Sequence, residues 1–281
     1  MKKYFFLPVL FFSLACTSNL EEDSYQDKLT VESVIEEGEF ARVYLLNSIP
    51  FKGVIDSLEV IKSIETKAKV VLSNGEVSEI LTLKKDESYF PFFYYRSNVI
   101  KGDLNKSYNL SINVRNKEFT SKTDVPQAPH VVDVEFIEAQ YEGEVFPDFR
   151  DVKLTMQNSN IENLYFKFFI KNEAKKSFSN ANPFIINTEI IDSNTFSVII
   201  RHFKDTEGDG KEEFLEVGTK VDLKIVAITK EQYEFWKSVK GDQTTILGSS
   251  SFSSNAKSNI SNNAFGYWSG ENAVTFNLEV M

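Results

Sequence analysis

Few side chains in this sequence are spaced for chemistry, and the clearest set lies between Asp205 and Glu216. Counting from Asp205, acidic residues fall at positions one, three, five, nine and twelve, as Asp205, Glu207, Asp209, Glu213 and Glu216, with Gly210 at position six. That is the oxygen-ligand spacing of a calcium loop, in which the glycine permits the sharp turn. Glu at positions three and eight and strand-like flanks favour instead a solvated acidic turn, so calcium is the one cofactor the spacing allows. Nucleophilic chemistry finds less support. The two histidines, His130 and His202, stand in no triad motif, and Gly266-Tyr267-Trp268-Ser269-Gly270 lacks the spacing of a nucleophile elbow. Zinc lacks its ligands as well, because there is a single cysteine and no paired-histidine spacing. A two-carboxylate hydrolase stays open only in the sense that 41 acidic residues always allow some pair to meet. The expectation is a non-enzyme.

The single cysteine has a different reading. Residues 1–15 carry Lys2 and Lys3, an apolar run from Tyr4 to Leu14 too short to span a bilayer, and then Ala15 before Cys16. This resembles a bacterial lipobox, with Ser13 where leucine is usual, and implies acylation of Cys16 after removal of the leader. The expected partner there is a membrane, through the lipid. Residues 16–28 are polar and aperiodic and read as a tether with an acidic cluster at Glu21-Glu22-Asp23. The expected location is the outer membrane, on its periplasmic or cell-surface face.

Charge narrows the partners. The chain has 31 Lys+Arg against 41 Asp+Glu, and losing Lys2 and Lys3 with the leader moves the net charge from −10 to −12. Such a surface repels nucleic acid. With Cys16 acylated no disulfide can form, so stability rests on burial, for which 25 Phe and 11 Tyr supply the area.

The elements that would carry these groups are strands. From residue 29 to residue 126 the apolar period is two. Phe40, Arg42, Tyr44 and Leu46 alternate with Ala41, Val43 and Leu45, and Tyr108, Leu110, Ile112 and Val114 share a face. Asn74-Gly75 predicts a two-residue hairpin with positive φ at both positions. About seven short strands here predict an immunoglobulin-like β-sandwich. Pro126 and Pro129 mark a boundary. Residues 130–281 predict a second all-β unit, sandwich or barrel-like, with one short helix near 230–240. Thr229 is its N-cap, Gln232 completes a capping box, and Ile228 and Tyr233 form a staple.

Two aromatic groups exceed what one core needs. Between Tyr89 and Tyr95 six of seven residues are aromatic, so alternation places Tyr94 and Tyr95 on opposite faces, and one face must meet the second unit, a partner or a ligand. Tyr267 and Trp268 stand in a Ser/Asn/Gly-rich stretch, residues 248–272, where they either stack on a partner or ligand or fold back on the core.

The phrase Ile228-Thr229-Lys230-Glu231-Gln232-Tyr233-Glu234-Phe235-Trp236, with the later Ser258-Asn259-Ile260-Ser261-Asn262-Asn263-Ala264-Phe265-Gly266, resembles a Bacteroidota lipoprotein family, domain of unknown function 4249. Val31 to Leu46, Ala68 to Leu72 before Asn74-Gly75, Ile100-Lys101-Gly102 and Tyr108-Asn109-Leu110 before Val125-Pro126 follow the same pattern. The resemblance implies an outer-membrane lipoprotein with an immunoglobulin-like front and a β-rich back, found beside TonB-dependent transporters. It carries over no catalytic or binding residue, and the stretch from Phe203 to Glu216 is expanded relative to the family. The expectation is therefore an accessory lipoprotein for nutrient capture with a TonB-dependent transporter. The alternatives are a structural or assembly lipoprotein without a small ligand, and a cryptic hydrolase.

Overall fold

The computed structural model describes residues 28–49, 57–87, 91–141, 143–159, 162–204, 212–241 and 256–281. Alternating apolar residues put these segments almost wholly into strands. In the front unit they are β1 (Leu29–Glu36), β2 (Phe40–Asn47), β3 (Lys69–Ser73), β4 (Ser78–Ile80), β5 (Thr82–Lys85), β6 (Phe93–Lys101), β7 (Ser107–Val114) and β8 (Lys117–Asp124), with the one-and-a-half-turn helix α1 (Ser57–Lys62) before β3. The rest comprises β9 (Val131–Tyr141), β10 (Glu144–Gln157), β11 (Tyr165–Asn172), β12 (Ser179–Asn187), β13 (Thr195–Ile200), β14 (His202–Lys204), β15 (Glu212–Glu216), β16 (Lys220–Ile228), the helix α2 (Lys230–Gly241) and the long β17 (Phe265–Glu279).

The front unit is an immunoglobulin-like sandwich. One sheet runs β5-β6-β2-β1 and faces a second, β4-β3-β7-β8. Val31, Ile35, Val43, Leu45, Val70, Leu72, Leu110 and Ile112 fill the space between them. Tyr108, fully buried at the start of β7, donates its hydroxyl to Lys101 O at 2.9 Å and accepts Asp103 N–H at 2.7 Å. This is the tyrosine corner of immunoglobulin-like sandwiches, which ties the sixth strand to the seventh. The β3–β4 connection differs from expectation. Only Gly75 takes positive φ, at 88°, and Asn74 instead accepts the Glu76 and Val77 N–H groups on its side-chain oxygen. An Asx-type turn replaces the second left-handed residue.

The back unit has its own core of Val152, Leu154, Met156, Phe168, Ile170, Ile200, Leu223 and Ile225. Its strands follow the order β13-β10-β15-β14-β12-β11-β16-β17, with β9 on the flank of β10. Residues 125–130 carry no strand, as Pro126 and Pro129 require.

Sequence order and spatial unit part company at the C-terminus. The second half of β17 pairs antiparallel with β16, but its first half runs parallel to β1, from Thr30↔Phe265 to Glu36↔Glu271. Ile260, Ala264 and Trp268 accordingly belong to the front core, not to the unit that residues 130–281 were expected to form. Two glycines allow this insertion. A Cβ on Gly266, which has φ +120°, would meet Val31 O at 1.8 Å, and one on Gly270 would meet Asp124 O at 2.0 Å. β17 is thus threaded between β1 and the end of β8, and one strand serves both cores.

Candidate functional site

The outer face of the front sheet is where the described polar and aromatic side chains converge. Registers align one row across five strands: Tyr267 on β17, Glu32 on β1, Tyr44 on β2, Tyr94 on β6 and Lys84 on β5. A second row carries Ser269, Val34, Arg42, Arg96 and Thr82. The β17 end of these rows is buried under α2 and β11, while the β5 end faces outward.

At the buried end the charges compensate one another. Lys167 on β11 meets Glu271 Oε1 at 2.7 Å, with both side chains under a tenth exposed. Gln232 donates Nε2 to the same oxygen at 2.7 Å and accepts Ser269 Oγ–H at 2.7 Å. The expected capping box is therefore only half made. Thr229 Oγ1 accepts Gln232 N–H at 3.4 Å, but the Gln232 side chain turns into the junction and not back to the helix start. Tyr267 donates its hydroxyl to Glu32 Oε1 at 3.3 Å. Burial raises the Glu32 carboxyl above its ordinary value and the nearby Glu271 adds to this, against the lowering by Lys167 and the Tyr267 bond. A second tie between units, Lys224 to Glu36 at 3.2 Å, uses the residue that stands opposite Glu271 in the β1–β17 register.

Aromatic rings close the junction. Phe235 packs on Phe265 and Tyr267 with centroids 5.3 and 5.1 Å apart, and Trp236 meets Phe184 edge-on at 5.3 Å. Trp236 Nε1 is buried there with no hydrogen-bond partner among the described residues. Tyr165, tilted against Tyr233 with ring centroids 5.3 Å apart, has its hydroxyl pushed up to about 12 by desolvation and by its bond to Glu189.

At the other end the charges are left without counterparts. Arg42 is exposed and stands directly across from Arg96. The Arg96 guanidinium lies 4.2 Å from the Phe40 ring centroid, and Lys101 Nζ lies 4.8 Å from the same ring. Tyr44 and Tyr94 pack together at 5.4 Å beside them. Among the described residues no carboxylate pairs with Arg42, Arg96, Lys84 or Lys101.

The residues singled out in the sequence divide accordingly. Tyr94 lies on this outer face, whereas Tyr95 points inward, 3 % exposed, and accepts Ala68 N–H at 2.9 Å. Tyr95 is thus a core residue and not a contact residue. Trp268 is fully buried as well: its Nε1 donates to Tyr108 O at 3.1 Å, and Asn259 bonds both its N–H and its carbonyl. Of the two readings of the Tyr267–Trp268 pair, the structure holds the one in which both fold inward. Alternation sends Trp268 into the front core and Tyr267 into the junction. Cys16, Asp205, Glu207 and Asp209 lie outside the described residues, as does the Glu213 side chain. Glu216 is exposed at the end of β15, and β14 and β15, which precede and follow residues 205–211 in the sequence, pair antiparallel.

Elsewhere a shallow depression of about 390 Å³ brings Glu138 and Asp151 near Arg201. Sequence reading missed Lys167 and Glu271, although a lysine within Tyr165-Phe166-Lys167-Phe168-Phe169 is itself a signal of a buried partner.

These features define a class: an all-β protein of two units with an immunoglobulin-like front, joined by one shared C-terminal strand. The chain belongs to the family described as domain of unknown function (DUF4249), whose pattern matches residues 17–276. No curated protein matches it. Among solved structures, the selenomethionine-substituted chicken interferon gamma receptor alpha chain is similar at 6% identity and a TM-score of 0.21, over 72% of this chain and 89% of that one.

Proposed function

We propose that this protein is a non-catalytic lipoprotein of the outer membrane, anchored through acylated Cys16, that works beside a TonB-dependent transporter in nutrient capture. The observation that carries the reading is the division of labour among its polar groups. Lys167, Glu271, Gln232 and Ser269 bond one another inside the junction, so they hold two units together. What faces outward is a broad sheet surface of tyrosines and cations, a composition suited to contact and not to turnover. Acylated Cys16, exposed by removal of residues 1–15, supplies the anchor, and the polar residues after it supply the reach.

The test has two parts. Wild type should incorporate an acyl label and fractionate with outer membranes, while Cys16→Ser should lose the label and become soluble. Purification of the lipidated protein in mild detergent should bring a transporter with it. Membrane retention of Cys16→Ser with no label on wild type would overturn the anchor. An anchored protein that returns without a transporter would leave the structural or assembly role.

A further inference from the structure

We propose that the outer face of the front sheet is a docking surface for an acidic polypeptide segment of a partner, received by Arg42, Arg96, Lys84 and Lys101 with Tyr44 and Tyr94 between them. Three observations carry this beyond the reading above. Like charges directly opposite on neighbouring strands repel, so an arginine pair such as Arg42↔Arg96 is retained at a cost unless something negative meets it. The four cations lie on one face of a protein whose net charge is −10, where 41 acidic residues were available as counterparts and none among the described residues is used. Arginine and tyrosine together are the residues that dominate the centres of protein interfaces, because both bring large area and fixed hydrogen-bond geometry.

Spacing chooses the class of ligand. Neighbouring strands are about 4.8 Å apart, so cations on β2, β6 and β5 span roughly 10 Å of one sheet face. A single small anion would touch one or two of them. An extended chain with a carboxylate at every second residue repeats at about 6.8 Å and can reach several at once. Among the described residues β5 is also the last strand of its sheet, so such a chain could continue along its outer edge.

The experiment uses the full chain in detergent micelles and needs no transporter, so its failure is separate from failure of the anchoring reading. A fluorescein-labelled twelve-residue peptide of alternating Gly and Glu is titrated by anisotropy, with the Gly/Gln peptide as control. The acidic peptide should bind, the neutral one should not, and affinity should fall as salt rises from about 50 to 200 mM. Arg42→Gln/Arg96→Gln should weaken binding about tenfold, with little change in melting temperature. Arg42→Lys/Arg96→Lys, which keeps the charge, should keep part of the affinity. Equal binding by the Gln variant, or no binding by the native chain, would overturn the proposal. So would binding that appears only in Glu21→Gln/Glu22→Gln/Asp23→Gln, since the chain's own acidic cluster would then be the occupant. Capture of an oligogalacturonate with no response to the peptide would overturn it in favour of an acidic glycan.

Discussion

Lys167 ends inside the molecule, 2.7 Å from Glu271, whereas Arg42 ends in solvent opposite another arginine. Lys167, on β11, reaches the β17 side of the rows that cross β17, β1, β2, β6 and β5, whereas Arg42 stands on β2 within one of those rows. Taking Lys167 and Glu271 out of water costs several kcal/mol per ion, and their attraction offsets this only because Gln232 and Ser269 complete the hydrogen bonds. A buried pair of that kind adds little net stability, but it makes one arrangement of β11, α2 and β17 much better than any shifted one. Arg42 and Arg96 fix nothing of the sort. Arg42 keeps its hydration, Arg96 is half-buried over the Phe40 ring, and their mutual repulsion is a cost borne in the free protein. Charges at the junction therefore specify how the units are joined, and charges on the face remain available to something outside.

The largest effects are expected where β17 enters the front unit. Trp268→Ala removes a fully buried indole and its bond to Tyr108 O, and should destabilise the protein by about 5 kcal/mol, near the top of the range for such truncations. Urea unfolding measures it. A loss below about 1 kcal/mol would mean that β17 is not part of the front core.

Next comes the junction pair. Lys167→Met leaves Glu271 buried without its cation and should cost about 3 kcal/mol. Lys167→Met/Glu271→Leu should cost less than either single change, because two apolar groups replace two compensated charges. If the double variant instead loses the sum of the singles, the pair contributes strength and not register, and the contrast drawn above fails.

Much of this was legible in the sequence, and the reason for the remainder is sequence separation. Alternation gave the inward faces of β2 and β7 directly, since Val43 and Leu45, or Leu110 and Ile112, declare themselves within one strand. The helix at 230–241 was equally local, with Thr229 before it. What alternation cannot supply is which strand lies beside which. Glu32 and Tyr267 are 235 residues apart, and the pairing of β1 with β17 leaves no local trace. Both readings of Tyr267–Trp268 were open for that reason. The Arg42↔Arg96 pair depends likewise on the β2–β6 register, which includes a bulge between Phe40 and Arg42.

A smaller effect is read in pH. Glu32 has its carboxyl raised above the ordinary 4.5, chiefly by burial. A carboxyl raised on folding contributes stability that is complete below its unfolded value and is lost as pH rises through the folded one. Glu32→Gln should remove that decline, so the gap in melting temperature between variant and wild type should grow in the variant's favour from pH 4 toward neutrality. Asp222 is the opposite case: its bond to Lys171 lowers its carboxyl, so the stability it contributes is lost as pH falls. Asp222→Asn should therefore flatten the acid side of the profile. A Glu32→Gln profile parallel to wild type would show that the junction does not hold this carboxyl in the strained state that its burial implies.

The smallest expected change in stability falls on the open face, and there a near-zero result is the informative one. Arg42→Gln/Arg96→Gln removes two like charges from adjacent strands without opening a cavity, so the change should lie within about 0.5 kcal/mol and lean toward stabilisation. Arg96 also covers Phe40, and loss of that contact works against the gain. The single variants separate the two contributions. Both relieve the repulsion, but Arg42→Gln leaves the Arg96 guanidinium over Phe40, so it should be the more stable of the pair, while Arg96→Gln gives up that ring contact. If Arg42→Gln is instead destabilised by more than about 1 kcal/mol, its guanidinium already has a partner in the free protein. The face would then be compensated in the way that the junction is.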